Sequence, residues 1–380
     1  MIQIDFFGAD VTSMLVPIHS TKPDKVYFLV DPAYHTMHDV KLIQSAIMEW
    51  KIVKEVELVK VDSGDIEDIN RRLDEIVGKH EEKIYIDLTG GHELMIACGY
   101  SVCKKADVVP IYADIRKGVV YDVNSKNVLC KVDHIGLSDY LNAVGAKQLN
   151  GSHSTPKDDL KDSVLNMGRV IFADLNRWHA LHSYLTANVK PDLDTVRIPK
   201  NIMYHSKRYD VSKLIDAFCE NGFAVLVGKN LYRFADAASK EYMITFGIWL
   251  EMFVYFKVKE YYDETCLGAI IDWNESDYID TEDNEIDVMA IKDSVPVFIS
   301  CKMKKIVASE VYEVGFLADR LGGSSAKAIM ATTFPVRTEG DGVKGIYQRL
   351  KKMRVGFVEV TDLDRKGVES VMDAALKLAE

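Results

Sequence analysis

This 380-residue sequence has too little positive charge for a dedicated duplex-DNA binder. Its 47 lysines and arginines face 58 aspartates and glutamates, a formal net charge of −11, whereas such binders carry a basic face and a high pI. Net charge leaves local basic patches, and so nuclease chemistry, open. No CxxC pair or Cys/His cluster with zinc spacing occurs. The six cysteines (Cys98, Cys103, Cys130, Cys219, Cys266, Cys301) are scattered, mostly in apolar runs, which reads as buried free thiols in a reducing compartment. No uncharged apolar stretch approaches the roughly 18 residues needed to span a membrane. The opening MIQIDFFGAD lacks the basic region and following apolar run of a signal peptide. A cytoplasmic protein without a membrane partner is therefore expected. The Asp87–Met95 loop carries neither the GxxxxGK[ST] nor the GxGxxG phosphate-binding spacing, which argues against a P-loop there and against dinucleotide binding by that fingerprint.

What is present is an ordinary globular composition, 48% apolar and 28% charged, in a chain long enough for two or three domains. Residues 1–135 alternate strand-like segments (2–7, 25–31, 56–61, 83–88, 108–113) with helix-like ones (36–50, 65–79, 92–105). That rhythm predicts a mostly parallel Rossmann-like sheet, closed by a short hairpin, 117–123 with 127–132. Polar residues 147–163 read as a linker or loop, and 164–190 as a helix. The helix–turn–strand–turn–strand pattern at 210–234 fits a small winged-helix-type module; a spacer that packs two domains together is the alternative. From about 238 the pattern predicts a helix 239–262, strands 267–273, 286–291 and 296–301, and a helix 308–322. A strand 326–333, a helix 342–352 and a final strand and helix (355–360, 365–379) complete an α/β sandwich. The expected division is 1–147, 148–237 and 238–380.

Two loops fall at strand C-terminal ends of the first sheet, where open α/β sheets bind ligands. One is Gly8-Ala9-Asp10-Val11-Thr12-Ser13. The other is Asp87-Leu88-Thr89-Gly90-Gly91-His92-Glu93-Leu94-Met95, opening a helix. Adjacent glycines allow close backbone approach, and the free N–H groups of a helix's first turn favour an anion. A tight turn is the alternative reading of the TGG triplet. In the C-terminal half, Glu285 and Asp287 are two residues apart on an entering strand, and Lys302 closes the next apolar run. Carboxylates and a lysine gathered across a hairpin can hold a divalent metal beside a phosphodiester and activate a water. The acid-rich run 272–287 otherwise reads as a solvated loop. Glu251 stands in the nearly all-apolar helix GIWLEMFVY at 247–255, where an acid needs a partner or a function. Lys304, Lys305 and the group Lys344, Arg349, Lys351, Lys352 and Arg354 are candidate backbone contacts for nucleic acid, with a solvated helix face the alternative for the second group.

Together, the Asp87–Met95 loop, GIWLEMFVY, NEID at 284–287 and ISCK at 299–302 make the chain resemble the CARF-domain nucleases of type III CRISPR systems, over nearly its whole length. These join a CARF sensor to a restriction-endonuclease-like domain. The resemblance implies a homodimer that binds a cyclic oligoadenylate, most often cyclic tetra-adenylate, across its two-fold axis. It also implies a Mn²⁺- or Mg²⁺-dependent nuclease cutting single-stranded DNA, RNA or both. Carried over residue by residue, Gly8, Ala9, Asp10, Thr12 and Ser13, with Thr89, Gly90, Gly91, His92, Glu93, Leu94 and Met95, become second-messenger contacts. Asp287 becomes the central metal ligand, Lys302 the catalytic lysine, Glu251 the helix acid and Glu285 a fourth member, with the Cys301 carbonyl a further metal contact. One position departs from the pattern: Ser300 stands where such nucleases place Glu, Asp or Gln. Either Glu251 or Glu285 supplies the missing carboxylate, or the site is impaired. Two rivals are carried alongside: a ligand-responsive transcription regulator that uses 210–234 to bind duplex DNA without cutting it, and a ring nuclease whose sensor degrades its own messenger.

Overall fold

The computed structural model describes residues 1–104, 107–147, 155–271, 284–323, 325–337 and 345–379. Most of the acid-rich run (272–283), positions 148–154 of the expected linker, and 342–344 of the helix expected at 342–352, with Lys344, lie outside the described residues.

The N-terminal sheet is built from β1 (Ile2–Phe6), β2 (Lys25–Val30), β3 (Glu55–Lys60), β4 (Ile84–Asp87), β5 (Val108–Asp114), β6 (Val119–Asp122) and β7 (Val128–Lys131) in the order β3-β2-β1-β4-β5-β6-β7. The first five strands run parallel, and β6 and β7 return antiparallel. Crossovers run through α1 (Val11–Thr21), α2 (Met37–Glu49), α3 (Ile66–Val77) and α4 (Glu93–Val102). All of β1 is buried, as a central parallel strand covered on both faces requires. The chain leaves β1 for β2 on one side, while β4 lies on the other. The crevice at a switch of strand order therefore falls between the C-terminal ends of β1 and β4. This is the Rossmann-like architecture expected. One helix was not foreseen. α1 begins at once after the first loop, its N-cap Asp10 accepting from Ser13 N, and it contains Pro17, a residue that argues against helix in a sequence.

α5 (Leu137–Ala143) leads into β8 (Ala146–Lys147), which pairs with the C-terminal sheet. The helix expected at 164–190 is two, α6 (Lys161–Ala173) and α7 (Leu175–Asn188). They are broken at Asp174, which leaves helical geometry and caps α7 by accepting from Arg177 N. The middle module consists of β9 (Thr195–Arg197), a hairpin of β10 (Asn201–Tyr204) and β11 (Lys207–Asp210), α8 (Ser212–Glu220), β12 (Ala224–Gly228) and β13 (Leu231–Phe234). Its sheet order β12-β13-β9 beside α8 is the winged-helix-like arrangement.

The C-terminal part follows with α9 (Ala237–Ile244), α10 (Ile248–Val258), β14 (Glu264–Ile271), β15 (Asn284–Lys292), β16 (Val295–Lys302), α11 (Ala308–Gly322), β17 (Lys327–Thr332), α12 (Ile346–Lys352), β18 (Val355–Glu359), α13 (Val360–Arg365) and α14 (Val368–Leu378). The helix expected at 239–262 is thus broken into α9 and α10. The six-stranded sheet runs β18-β17-β16-β15-β14-β8. One of its faces packs with α10 and the middle module, through Val288, Ala290, Val297 and Ile299. Its other face shares a core with α1, α2 and α11, through Met289, Ile291 and Phe298. The N-terminal domain and the C-terminal sheet are therefore joined by continuous apolar packing. Among the described residues no helix is long and apolar enough to cross a membrane.

Candidate functional site

The C-terminal centre forms where β15 and β16 separate. Their pairing runs from Lys292↔Val295 to Val288↔Ile299 and stops there. In place of the next rung, the Asp287 side chain enters the ladder: its Oδ2 accepts from Cys301 N at 2.5 Å and from Ser300 Oγ at 3.2 Å. Lys302 Nζ lies 3.8 Å from the same oxygen. Every residue of α10 is buried except Glu251 and Lys257, and Glu251 lies within electrostatic reach of Asp287, Glu285 and Lys302. Burial pushes the Glu251 carboxyl up to about 8, helped by the charges of Asp287 and then Glu285 and opposed by Lys302. Burial also raises the Asp287 carboxyl, against the pull of Lys302 and the Cys301 N–H, with Glu285 adding repulsion. The Cys301 thiol is driven far up by burial and by these two acids, so it is no thiolate ligand.

Glu285, Ser300 and Lys302 also line a narrow cleft of about 40 Å³ with Glu310 and Glu313 of α11. Glu310 is committed locally: its Oε2 accepts from Val307 N at 2.9 Å, and its Oε1 lies 3.0 Å from Lys304 Nζ. Arg349, Lys351 and Lys352 lie exposed on α12, as a solvated face would.

No group of three or more His, Cys, Asp or Glu side chains that could hold a metal occurs among the described residues. The donors that converge are Asp287 and Glu251, with Glu285 within electrostatic reach. A Mg²⁺- or Mn²⁺-type ion keeps several waters and needs only one or two carboxylates. Two acids held together in a poorly solvated gap repel each other, and a divalent cation is what relieves that repulsion. The donor set fits such an ion in kind.

The N-terminal centre sits at the strand-order switch. The loops after β1 and β4 touch so closely that a Cβ on Gly8 would lie 3.0 Å from Gly91 N, and one on Gly90 would lie 2.3 Å from Ser13 Oγ. Gly91 also has φ +114° and faces Phe6, whose Cβ would be 2.3 Å from an added methyl, so glycine is required there. Beneath the loops, Asp5 and Asp87 form a fully buried pair joined by a hydrogen bond. Burial raises Asp5 well above the carboxylate range, with Asp87's charge adding to it, and raises Asp87 to about 7. Asp87 Oδ1 accepts from Thr89 N at 3.0 Å and Thr89 Oγ1 at 2.6 Å. The Thr89 hydroxyl in turn accepts from Ala113 N at 2.8 Å. Thr89 is thus fixed as part of the loop's frame.

Of the sequence-derived contacts, Gly8 and Ala9 line a cavity of about 450 Å³. Gly90, Gly91 and His92 are half-buried, and Glu93 is exposed. Leu94 packs partly against the core cluster that contains Met95. Thr12, Ser13 and Met95 are buried, at 0%, 6% and 0% exposure. The Thr12 hydroxyl donates to Ser294 O at 3.4 Å, and Asp10 Oδ2 accepts from Ser325 Oγ at 2.6 Å. These two residues tie the first loop to the C-terminal domain. Sequence reasoning missed the loop after β2, where Tyr34 and His35 line the same cavity and the Tyr34 ring lies 4.7 Å from that of His92. It also missed Arg320 of α11 on the cavity's far wall. The signal for Tyr34 and His35 was their place after a third parallel strand, at the same sheet end. Nothing local marks Arg320.

Comparison with known proteins agrees with this architecture. Residues 14–140 match the family model of the Card1 CARF domain. No curated protein matches the chain in sequence. Protein VC1899 from Vibrio cholerae has a similar structure, with TM-score 0.76, 16% identity, and coverage of 100% of this chain and 98% of that one. Can2 from Sulfobacillus thermosulfidooxidans, solved in complex with cyclic tetra-adenylate, gives TM-score 0.69, 14% identity and coverage of 98% and 99%. A type III CRISPR defence DNA nuclease activated by cyclic oligoadenylate gives TM-score 0.54, 13% identity and coverage of 93% of this chain but 51% of that one. Over residues 14–140 the chain is thus matched to the Card1 CARF domain, and over its length it shares the fold of VC1899 and Can2.

Proposed function

We propose that this protein is a metal-dependent nuclease switched on by a cyclic oligoadenylate, most simply cyclic tetra-adenylate, in type III CRISPR defence. The observation that carries the nuclease reading is the gap between β15 and β16. There Asp287, Glu251 and Lys302 converge, burial raises both carboxyls, that of Glu251 to about 8, and Lys302 lies 3.8 Å from Asp287. A structural ion pair does not need a second buried acid, and burying one without a partner is costly. Asp287 and Glu251 would hold the Mg²⁺ or Mn²⁺, with Glu285 and the Cys301 carbonyl as further contacts. When bound, the ion would lower the pKa of a water and offset phosphate charge. Lys302 sets its ammonium beside the same gap, where negative charge develops on a phosphorane. Ser300, in the position of the usual second carboxylate, donates to Asp287 and so fixes its rotamer. Single-stranded DNA or RNA is the substrate this reading favours, the lysines at 304 and 305 lying just past the site.

The ligand reading is supported by the Card1 CARF match and by the neighbour solved with cyclic tetra-adenylate, together with paired glycine loops at the switch of strand order. A symmetric cyclic ligand on a two-fold axis takes the same loops from two chains, so a homodimer is part of the proposal. The test is Asp287→Ala and Lys302→Ala, each assayed for cleavage and for affinity toward cyclic tetra-adenylate. Both variants should lose cleavage and keep ligand affinity. Retained cleavage in either would remove that residue from the site.

A further inference from the structure

The cavity of about 450 Å³ at the C-terminal ends of the strands is not walled by the CARF domain alone. Gly8 and Ala9 of the first loop and Tyr34 and His35 of the loop after β2 form part of its lining, and Arg320 of α11 forms another part. Arg320 keeps 47% of its side chain exposed. One of its terminal nitrogens lies 3.3 and 3.4 Å from the two carboxylate oxygens of Asp39, which also lines the cavity. Both contacts are long for a charge-assisted bond, which is normally nearer 2.8 Å. A guanidinium at the rim of this cavity offers a planar fork of donors that suits a phosphodiester.

We propose that Arg320 is a ligand contact supplied by the C-terminal domain, taking a phosphate of the cyclic oligoadenylate in exchange for Asp39. The inference rests on the ligand reading above. Its consequence lies in the helix that carries Arg320. The C-terminal end of α11 is clamped to the first loop: Ser325 Oγ donates to Asp10 Oδ2, and Gly323 sits so close that a Cβ would lie 2.8 Å from Asp10 Cα. Its first turns carry Glu310 and Glu313, which wall the cleft beside Lys302 and Ser300. Ten residues of helix separate Glu310 from Arg320, about 15 Å of rigid rod. A pull on Arg320 therefore arrives at the nuclease cleft without passing through a loop.

The test measures cyclic tetra-adenylate binding to the full chain by calorimetry for wild type, Arg320→Met and Asp39→Asn, with nucleic-acid cleavage at saturating ligand as a second readout. Arg320→Met should weaken binding roughly ten- to hundredfold, the range for a lost charged hydrogen bond. At saturation it should still be activated less than wild type. Asp39→Asn should do the opposite and tighten binding, because the competing carboxylate is gone. A purely structural ion pair would instead give two variants equally destabilised to heat and unchanged in affinity. Unchanged affinity in Arg320→Met, with wild type binding normally, overturns the assignment of Arg320 and leaves the ligand reading standing. Failure of wild type to bind overturns the ligand reading itself, and this inference with it.

Discussion

The turn between β15 and β16 offers a quantitative check on how the two domains are held. Asp293 and Ser294 have φ of +52° and +63°, and with Lys292 paired to Val295 they form a two-residue turn in which both positions are left-handed. Such turns favour Asn-Gly or Asp-Gly, yet the second position here is serine. Its hydroxyl is the reason. Ser294, 1% exposed, accepts from Ile135 N at 3.0 Å and lies 3.1 Å from His134 Nδ1, while its carbonyl accepts from Thr12. Ser294→Ala keeps the backbone strain and leaves the buried Ile135 N–H without its acceptor, a cost of roughly 1–3 kcal/mol. Ser294→Gly loses the same hydroxyl but relieves roughly 1 kcal/mol of left-handed strain, net of glycine's entropy. The alanine variant should therefore melt lower than wild type, by about 1 °C for each kcal/mol in a chain of 380 residues, with the glycine variant between them. Thermal unfolding followed by circular dichroism measures this. Equal melting temperatures for the two variants, or no change in either, would refute the assignment of strain and hydrogen bond.

Gly91→Ala should cost at least roughly 1–3 kcal/mol from its positive φ alone, with the contact at 2.3 Å from Phe6 Cβ adding to it. A melting temperature equal to wild type would mean that the two loops do not touch as described. For the buried pair, both folded-state carboxyl pKa values lie above 3.8, that of Asp87 at about 7, so the stability they contribute is full below pH ~4 and is lost as pH rises toward 7. Asp5→Asn keeps a donor to Asp87 and removes one titration, so its unfolding free energy should fall less than wild type between those limits. Parallel pH curves for the two proteins would contradict a shared proton.

The parallel domain was legible because strand-length apolar runs alternate with amphipathic segments, and a buried parallel strand such as 25–30 has no polar face to blur it. Helix 308–322 was read to its ends. What escaped detection has physical causes. Pro17 masked α1, whose start the Asp10 cap decides. The long helices expected at 164–190 and 239–262 are each broken, the first at Asp174, whose carboxylate caps a new helix, and the second at Thr245–Gly247. The β10–β11 hairpin turns on His205 and Ser206, both at positive φ, without the glycine or asparagine that marks such turns. At the site, Asp287, Lys302 and Glu251 could be picked out because each is a charge inside an apolar run. The burial of Thr12 and Ser13 could not, since a polar loop looks the same in sequence whether it faces a ligand or another domain. Arg320 is invisible for the complementary reason, being an ordinary helix arginine until the fold brings α11 to the strand ends of the other domain.

Ligand-gated, metal-dependent cleavage is decided by incubating the full chain with single-stranded DNA and with RNA, in Mn²⁺, with and without cyclic tetra-adenylate, beside Asp287→Ala. Cleavage of at least one substrate should require both the metal and the ligand and disappear in the variant. Cleavage that persists without the ligand or in Asp287→Ala, or ligand binding with no cleavage of either substrate, would contradict it.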